Sequence, residues 1–132
     1  SLEELAIELA CQRMSDSDIE DLELAQNAFR EAVTAGDAMT IAETDEHYHD
    51  IIYNGTGNNR LVQILNNLRE QMYRYRVEYL KDEKNFPILI REHSQIVEGL
   101  TAKDKTMLTA AMHKHVMNQA TAVKEMIREQ EK

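Results

Sequence analysis

Apolar residues recur along this sequence at intervals of three and four, in stretches that few glycines or prolines interrupt. The 132 residues include four Gly and one Pro, too few for an all-β protein, which needs turn residues between most strands. Intervals of three and four place side chains on one face of an α-helix. The sequence therefore predicts an all-α fold, and its length favours a single domain over residues 1–132.

Capping residues and helix breakers predict where the helices begin and end. The Ser/Asp cluster at residues 15–18 and Asn58 can accept the free amides of a helix N-terminus, and Pro87 suits a first turn. Gly36, the segment 55–57 and Gly99 mark helix ends. Six helices are predicted, at residues 2–13, about 15–35, 38–54, 59–80, 87–100 and 103–128, with a loop at 81–85. Short connections between six helices favour an antiparallel bundle.

Charge and composition exclude several kinds of partner. A formal net charge of −9, from 15 basic and 24 acidic residues, repels phosphate backbones, so we expect no nucleic-acid binding by this chain alone. Its apolar runs are too short to span a membrane. The single Cys11 cannot form an internal disulfide, which favours a cytoplasmic location. The chain lacks an initiator Met and begins within a helical pattern, so we expect it to be a piece of a longer protein.

The third predicted helix carries polar side chains on its apolar face. Asp45 and His49 fall among apolar residues, one turn apart, whereas His47 and Asp50 fall on the polar face. A carboxylate is rarely buried without a partner, because its desolvation costs several kcal/mol. An Asp–His hydrogen bond at the helix surface would also explain this pair.

Two further helices repeat the anomaly. His93 lies in the centre of the apolar stripe of the fifth helix, and His115 lies in that of the sixth, while His113 points away. A single inward histidine is usually a hydrogen-bonded core residue. One divalent metal would nevertheless satisfy Asp45, His49, His93 and His115 together. Imidazole and carboxylate ligands suit Zn, Ni, Co, Fe or Mn, and the lack of thiolates argues against a cysteine-type structural zinc site.

The order of these motifs resembles one protein family, the effector-binding FCD domain found at the C-terminus of FadR-type GntR transcription regulators. The resemblance covers nearly the whole chain. It is carried by Asp45-x3-His49, Asn58 shortly after a glycine, Arg91-Glu92-His93 with Ile96, and Met112-x2-His115. The segment 101–104 departs from the Gly-Asp turn that is usual in the family.

The resemblance implies an antiparallel bundle of six or seven helices around a central cavity. It implies that Asp45, His49, His93 and His115 hold a divalent cation, commonly zinc or nickel, whose coordination a small carboxylate effector completes. The full regulators bind operator DNA as homodimers through an N-terminal winged helix-turn-helix domain, which this chain lacks. Many relatives also place an effector-binding Arg at the start of the first helix, which is missing here.

Several inward polar residues are candidates for contacting the effector. An inward arginine can hold a carboxylate through two hydrogen bonds, although it can equally extend to solvent or form an interhelical ion pair. An inward side-chain amide needs a hydrogen-bond partner, such as a bound water or a ligand. An inward tyrosine is more often a core residue. The candidates are Arg76, Arg69, Tyr75, Asn118 and Gln119.

Two other functions fit parts of the sequence. His49-Asp50 is an HD dipeptide, which helical metal-dependent phosphohydrolases use, but Asp50 is predicted to face away from His49, and no cluster of Lys and Arg for a phosphate is evident. A metal-free helical adaptor with structural histidines is the third reading. We favour the regulatory domain and expect no enzymatic activity.

Overall fold

The computed structural model describes residues 1–131, and within that range the chain is a bundle of α-helices with no strand. This confirms the all-α prediction. The helices are α1 (Leu2–Arg13), α2 (Asp16–Ala35), α3 (Ala38–Gly55), α4 (Asn59–Gln71), α5 (Tyr73–Lys81), α6 (Phe86–Ala102) and α7 (Lys105–Gln130). A 3-10 turn (Glu83–Asn85) precedes α6. No helix in this range is both long and apolar enough to cross a bilayer.

The single helix predicted over residues 59–80 is instead two helices, so residues 1–131 form seven α-helices where about six are predicted. The break falls at Met72, whose ψ of 6° departs from helical geometry. Near the break, Nη1 of Arg76 approaches the backbone carbonyl of Arg69 at 3.5 Å. Apolar residues keep the helical spacing of three and four across residue 72, so periodicity alone does not reveal the break.

Most predicted helix ends agree with the structure. Gly36 adopts a left-handed conformation after α2 (φ 78°), Asn58 accepts the amide of Leu61 at the start of α4, and Pro87 lies in the first turn of α6. The helix predicted to end near Gly99 and Leu100 continues two residues further, to Ala102. A Cβ added to Gly99 would lie 2.7 Å from Leu108, so this glycine allows α6 and α7 to approach closely.

Two apolar clusters form the core. The larger joins residues of α1, α2, α3, α4, α6 and α7, and the smaller joins residues of α2, α3, α5 and α6. Tyr48 belongs to the larger cluster and Phe29 to the smaller, and both rings contact His93. His93 therefore lies where the two clusters meet, at the centre of the bundle.

Candidate metal centre

Asp45, His49 and His93 meet in the interior of the bundle. Asp45 and His49 are one turn apart on α3, and α6 supplies His93. One ligand atom from each lies within 4.8 Å of the other two. Oδ1 of Asp45 is 3.5 Å from Nε2 of His49 and 3.3 Å from Nε2 of His93. All three residues are buried, as their places on apolar faces predicted.

Several polar atoms of this cluster have no hydrogen-bond partner. They are Oδ1 of Asp45 and both ring nitrogens of His93, so the close approach of Asp45 to His93 lacks hydrogen-bond geometry. Buried polar atoms are nearly always paired, because leaving one unpaired costs several kcal/mol in an apolar surrounding. Two imidazole nitrogens and a carboxylate oxygen are suitable ligands for Zn or Ni. The triad could therefore hold a divalent metal, which would satisfy Oδ1 of Asp45 and Nε2 of His93.

The ring of His93 is held in place by its neighbours. Tyr48 stacks on it with the ring centres 4.0 Å apart, and Phe29 contacts it edge-on at 4.8 Å. The hydroxyl of Tyr48 also donates to the backbone carbonyl of His93 at 2.9 Å. These contacts leave His93 little freedom to turn away from Asp45.

The protonation states of two of these residues suit a metal. Burial opposes the ionisation of Asp45, but the neighbouring His49 and His93 outweigh it and hold the pKa of this carboxyl well below its usual range. Burial lowers the pKa of His93, against the opposing attraction of Asp45. An ionised carboxylate and a neutral imidazole are the forms that coordinate metals.

His115, the fourth predicted ligand, is buried beside the triad without being part of it. Its ring centre lies 5.7 Å from that of His49. Its Nδ1 is 3.1 Å from Oε1 of Glu92, which leaves Nε2 as the ring nitrogen available to another partner. Whether His115 is a ligand stays a prediction.

Glu92 is a buried residue that the sequence reasoning did not select. Burial raises the pKa of its carboxyl, but the hydrogen bonds with His115 and Asn118 outweigh this and lower the pKa overall. Three residues after Leu89 and four before Ile96, it lies on the apolar stripe of α6. That position could have identified it, as it identified Asp45.

The predicted effector residues lie in different surroundings. Nδ2 of Asn118 donates to Oε2 of Glu92 at 3.1 Å, and Gln119 is half-buried nearby on α7. Arg76 is half-buried, with its guanidinium 5.4 Å from the ring of Tyr73. Tyr75 is half-buried and lines a surface cavity of about 340 Å³ between α5 and α7, whose lining includes none of the four candidate ligands.

Arg69 is the predicted effector residue that contacts a neighbour of the triad, the ring of Tyr53. Its side chain is 12% exposed, and Nη1 donates to Oδ1 of Asp50 at 3.0 Å. Its guanidinium lies 5.5 Å from the ring of Tyr53, which is 6.2 Å from the ring of His49. Nη2 is buried and has no hydrogen-bond partner. The guanidinium thus has an unpaired N–H donor and is separated from His49 by one side chain, that of Tyr53.

The two histidines predicted to point outward do so. His47 and His113 are exposed, and His113, with 63% of its side chain exposed, contacts Oε1 of Glu4 at 3.1 Å. Both serve as controls for the inward histidines.

The fold and the site thus define this chain as a helical-bundle domain with a buried Asp-His-His triad. The chain belongs to the FCD domain family, whose model matches residues 1–118. This confirms the family that the motifs resemble, while its metal-binding type stays a prediction.

Among solved structures, the chain is similar in fold to E. coli McbR/YncC, with a TM-score of 0.79 and 18% sequence identity. The alignment covers 91% of this chain and 63% of that one. The chain thus matches less than two thirds of the length of that protein. No curated protein matches the chain by sequence.

Proposed function

We propose that this chain is the effector-binding domain of a bacterial transcription regulator of the GntR/FadR type. Its membership of the FCD family supports this, and so does its likeness in fold to E. coli McbR/YncC. In this proposal a small carboxylate metabolite binds the domain and changes the DNA binding of an N-terminal winged helix-turn-helix domain outside this chain. The whole protein would act on operator DNA as a homodimer in the cytoplasm.

The proposed cofactor is one divalent metal ion, with zinc or nickel as the best candidates. The supporting observation is the set of buried, unpartnered atoms on Asp45 and His93. Asp45, His49, His93 and His115 would hold the ion. A metal that takes more ligands than the protein supplies keeps a position open, and there it would supply a Lewis-acidic contact for a carboxylate oxygen.

The proposed effector is a small molecule with a carboxylate. The unused buried donor of Arg69 supports this, because a guanidinium binds a carboxylate through parallel hydrogen bonds. The other candidates for contacts with the effector are Arg76, Tyr75, Asn118 and Gln119. The effector would act by binding one arrangement of the bundle more tightly than another, since only such a difference shifts an equilibrium.

Titration of the metal-free domain with Zn²⁺ or Ni²⁺ tests the proposed cofactor. We expect one ion to bind per chain and to raise the melting temperature, because a ligand that binds only the folded state stabilises it. Calorimetry and elemental analysis after desalting measure both. Finding no bound ion would contradict the proposal and favour a metal-free adaptor, and phosphatase activity in the loaded sample would favour the phosphohydrolase.

Replacing Arg69 by glutamine tests the proposed carboxylate contact. A thermal-shift screen of the metal-loaded domain against small carboxylic and sugar acids should first identify a stabilising acid. We expect R69Q to weaken binding of that acid about 10–100-fold, since a hydrogen bond to a charged group contributes about 1.5–3 kcal/mol. Metal affinity should change little.

Arg60 offers the matched control, since it is an exposed arginine on the same helix. R60Q should bind the acid as the unmodified domain does. Equal losses in R60Q and R69Q would point to general charge attraction and contradict the assignment of Arg69.

A further inference from the structure

Glu92 is a buried carboxylate that directly precedes the candidate ligand His93 on α6. It is 4% exposed, and carboxylates are almost never buried to this extent unless they are paired. Both of its partners come from α7. Oε1 lies 3.1 Å from Nδ1 of His115, and Oε2 accepts from Nδ2 of Asn118 at 3.1 Å.

This arrangement selects one tautomer of the His115 imidazole. An ionised carboxylate can only accept hydrogen bonds, so its contact with Nδ1 requires the proton of the neutral imidazole to be on Nδ1. The lone pair is then on Nε2, which is the condition for that nitrogen to coordinate a metal. The second bond, from Asn118, keeps the carboxylate from rotating away from His115.

We propose that Glu92 is a positioning residue for His115, and that Asn118 in turn holds Glu92. Glu92 keeps the His115 ring in the Nδ1-protonated form and presents Nε2 toward the triad as a fourth metal ligand. This rests on the proposed metal site and deepens it. Replacing a carboxylate that holds a ligating histidine in this way typically weakens metal binding about 10–100-fold. Asn118 then has a second role besides the effector contact predicted for it.

Replacing Glu92 by leucine or glutamine tests the proposal. Leucine has a similar size but no acceptor, so E92L should bind Zn²⁺ about 10–100-fold more weakly, as measured by competition with a chromophoric chelator. Glutamine keeps one acceptor oxygen, so E92Q should retain part of the lost affinity. E98Q is the matched control, because Glu98 is exposed on the same helix, and it should bind as the unmodified domain does.

The ring form of His115 supplies a readout that a purely structural role would not change. In metal-free protein, ¹⁵N spectra of the histidine side chains should show His115 protonated on Nδ1, and E92L should lose this preference. If E92L does not fold, N118A provides the same test with a smaller expected loss. Failure of the unmodified domain to bind any metal would contradict the proposed function, whereas the spectra would still test the positioning of His115.

Two results would overturn the role of Glu92. In the first, the unmodified domain binds Zn²⁺, and E92L binds it with the same affinity and keeps the same tautomer of His115. The other is a loss of affinity in E92Q as large as in H115A, which would make Glu92 a ligand itself.

Discussion

Replacing His93 by alanine is expected to remove metal-dependent stabilisation of the domain. His93 is fully buried, and its Nε2, 3.3 Å from Oδ1 of Asp45, has no hydrogen-bond partner, so a metal beside Asp45 is the natural partner of that nitrogen. At a free metal concentration 1,000 times Kd, the unmodified domain should gain about 4 kcal/mol in free energy of unfolding. H93A should gain almost nothing, because the remaining residues of the triad cannot close the site.

The measurement compares each variant with and without Zn²⁺, by thermal or urea unfolding. This comparison within one variant matters because H93A also leaves a cavity between Tyr48 and Phe29, which lowers the stability of the metal-free form. H113A is the control, since His113 is exposed and should leave the gain intact. An undiminished gain in H93A would refute the site.

Replacing Phe29 by alanine is expected to cause the largest loss of stability among the proposed variants. Phe29 is fully buried in the smaller apolar cluster, and truncation of a buried phenylalanine typically costs about 3–5 kcal/mol. Its edge contact with His93, at 4.8 Å, also disappears. We therefore expect F29A to lower the free energy of unfolding by this amount and to weaken Zn²⁺ binding.

Urea unfolding of the metal-free protein measures the stability loss, and chelator competition measures the affinity. F29L is the control, because it conserves most of the volume and should cost less than about 1.5 kcal/mol. A loss below 1 kcal/mol in F29A would mean that the smaller cluster does not support the centre of the bundle.

The sequence was sufficient to find most of the buried polar residues. Asp45, His49, His93 and His115 were each placed on an apolar face by their intervals, and all four are buried. This worked because helical periodicity is local: a side chain's face depends on its neighbours within two turns. Glu92, which is also buried, satisfies the same criterion, because it lies on the apolar stripe of α6.

Other features of the structure could not be predicted from the spacing of apolar residues. The break at Met72 lies within a continuous apolar pattern, and Gly99 looked like a helix end although it is a contact point for Leu108. Arg69, Arg76 and Asn118 were similar candidates in the sequence. Only the structure separates them, by the ion pair of Arg69 with Asp50 and the bond of Asn118 to Glu92.

The sequence by itself thus determined the helical class of this protein, the family to which it belongs and most of the inward polar residues at its candidate site. The tertiary structure decided which of them meet. Asp45 and His93 are 48 positions apart in the chain, and Glu92 and His115 are 23 apart. Contacts over such distances depend on how helices pack, through interlocking side chains that fix angle and register, and no local pattern encodes that packing.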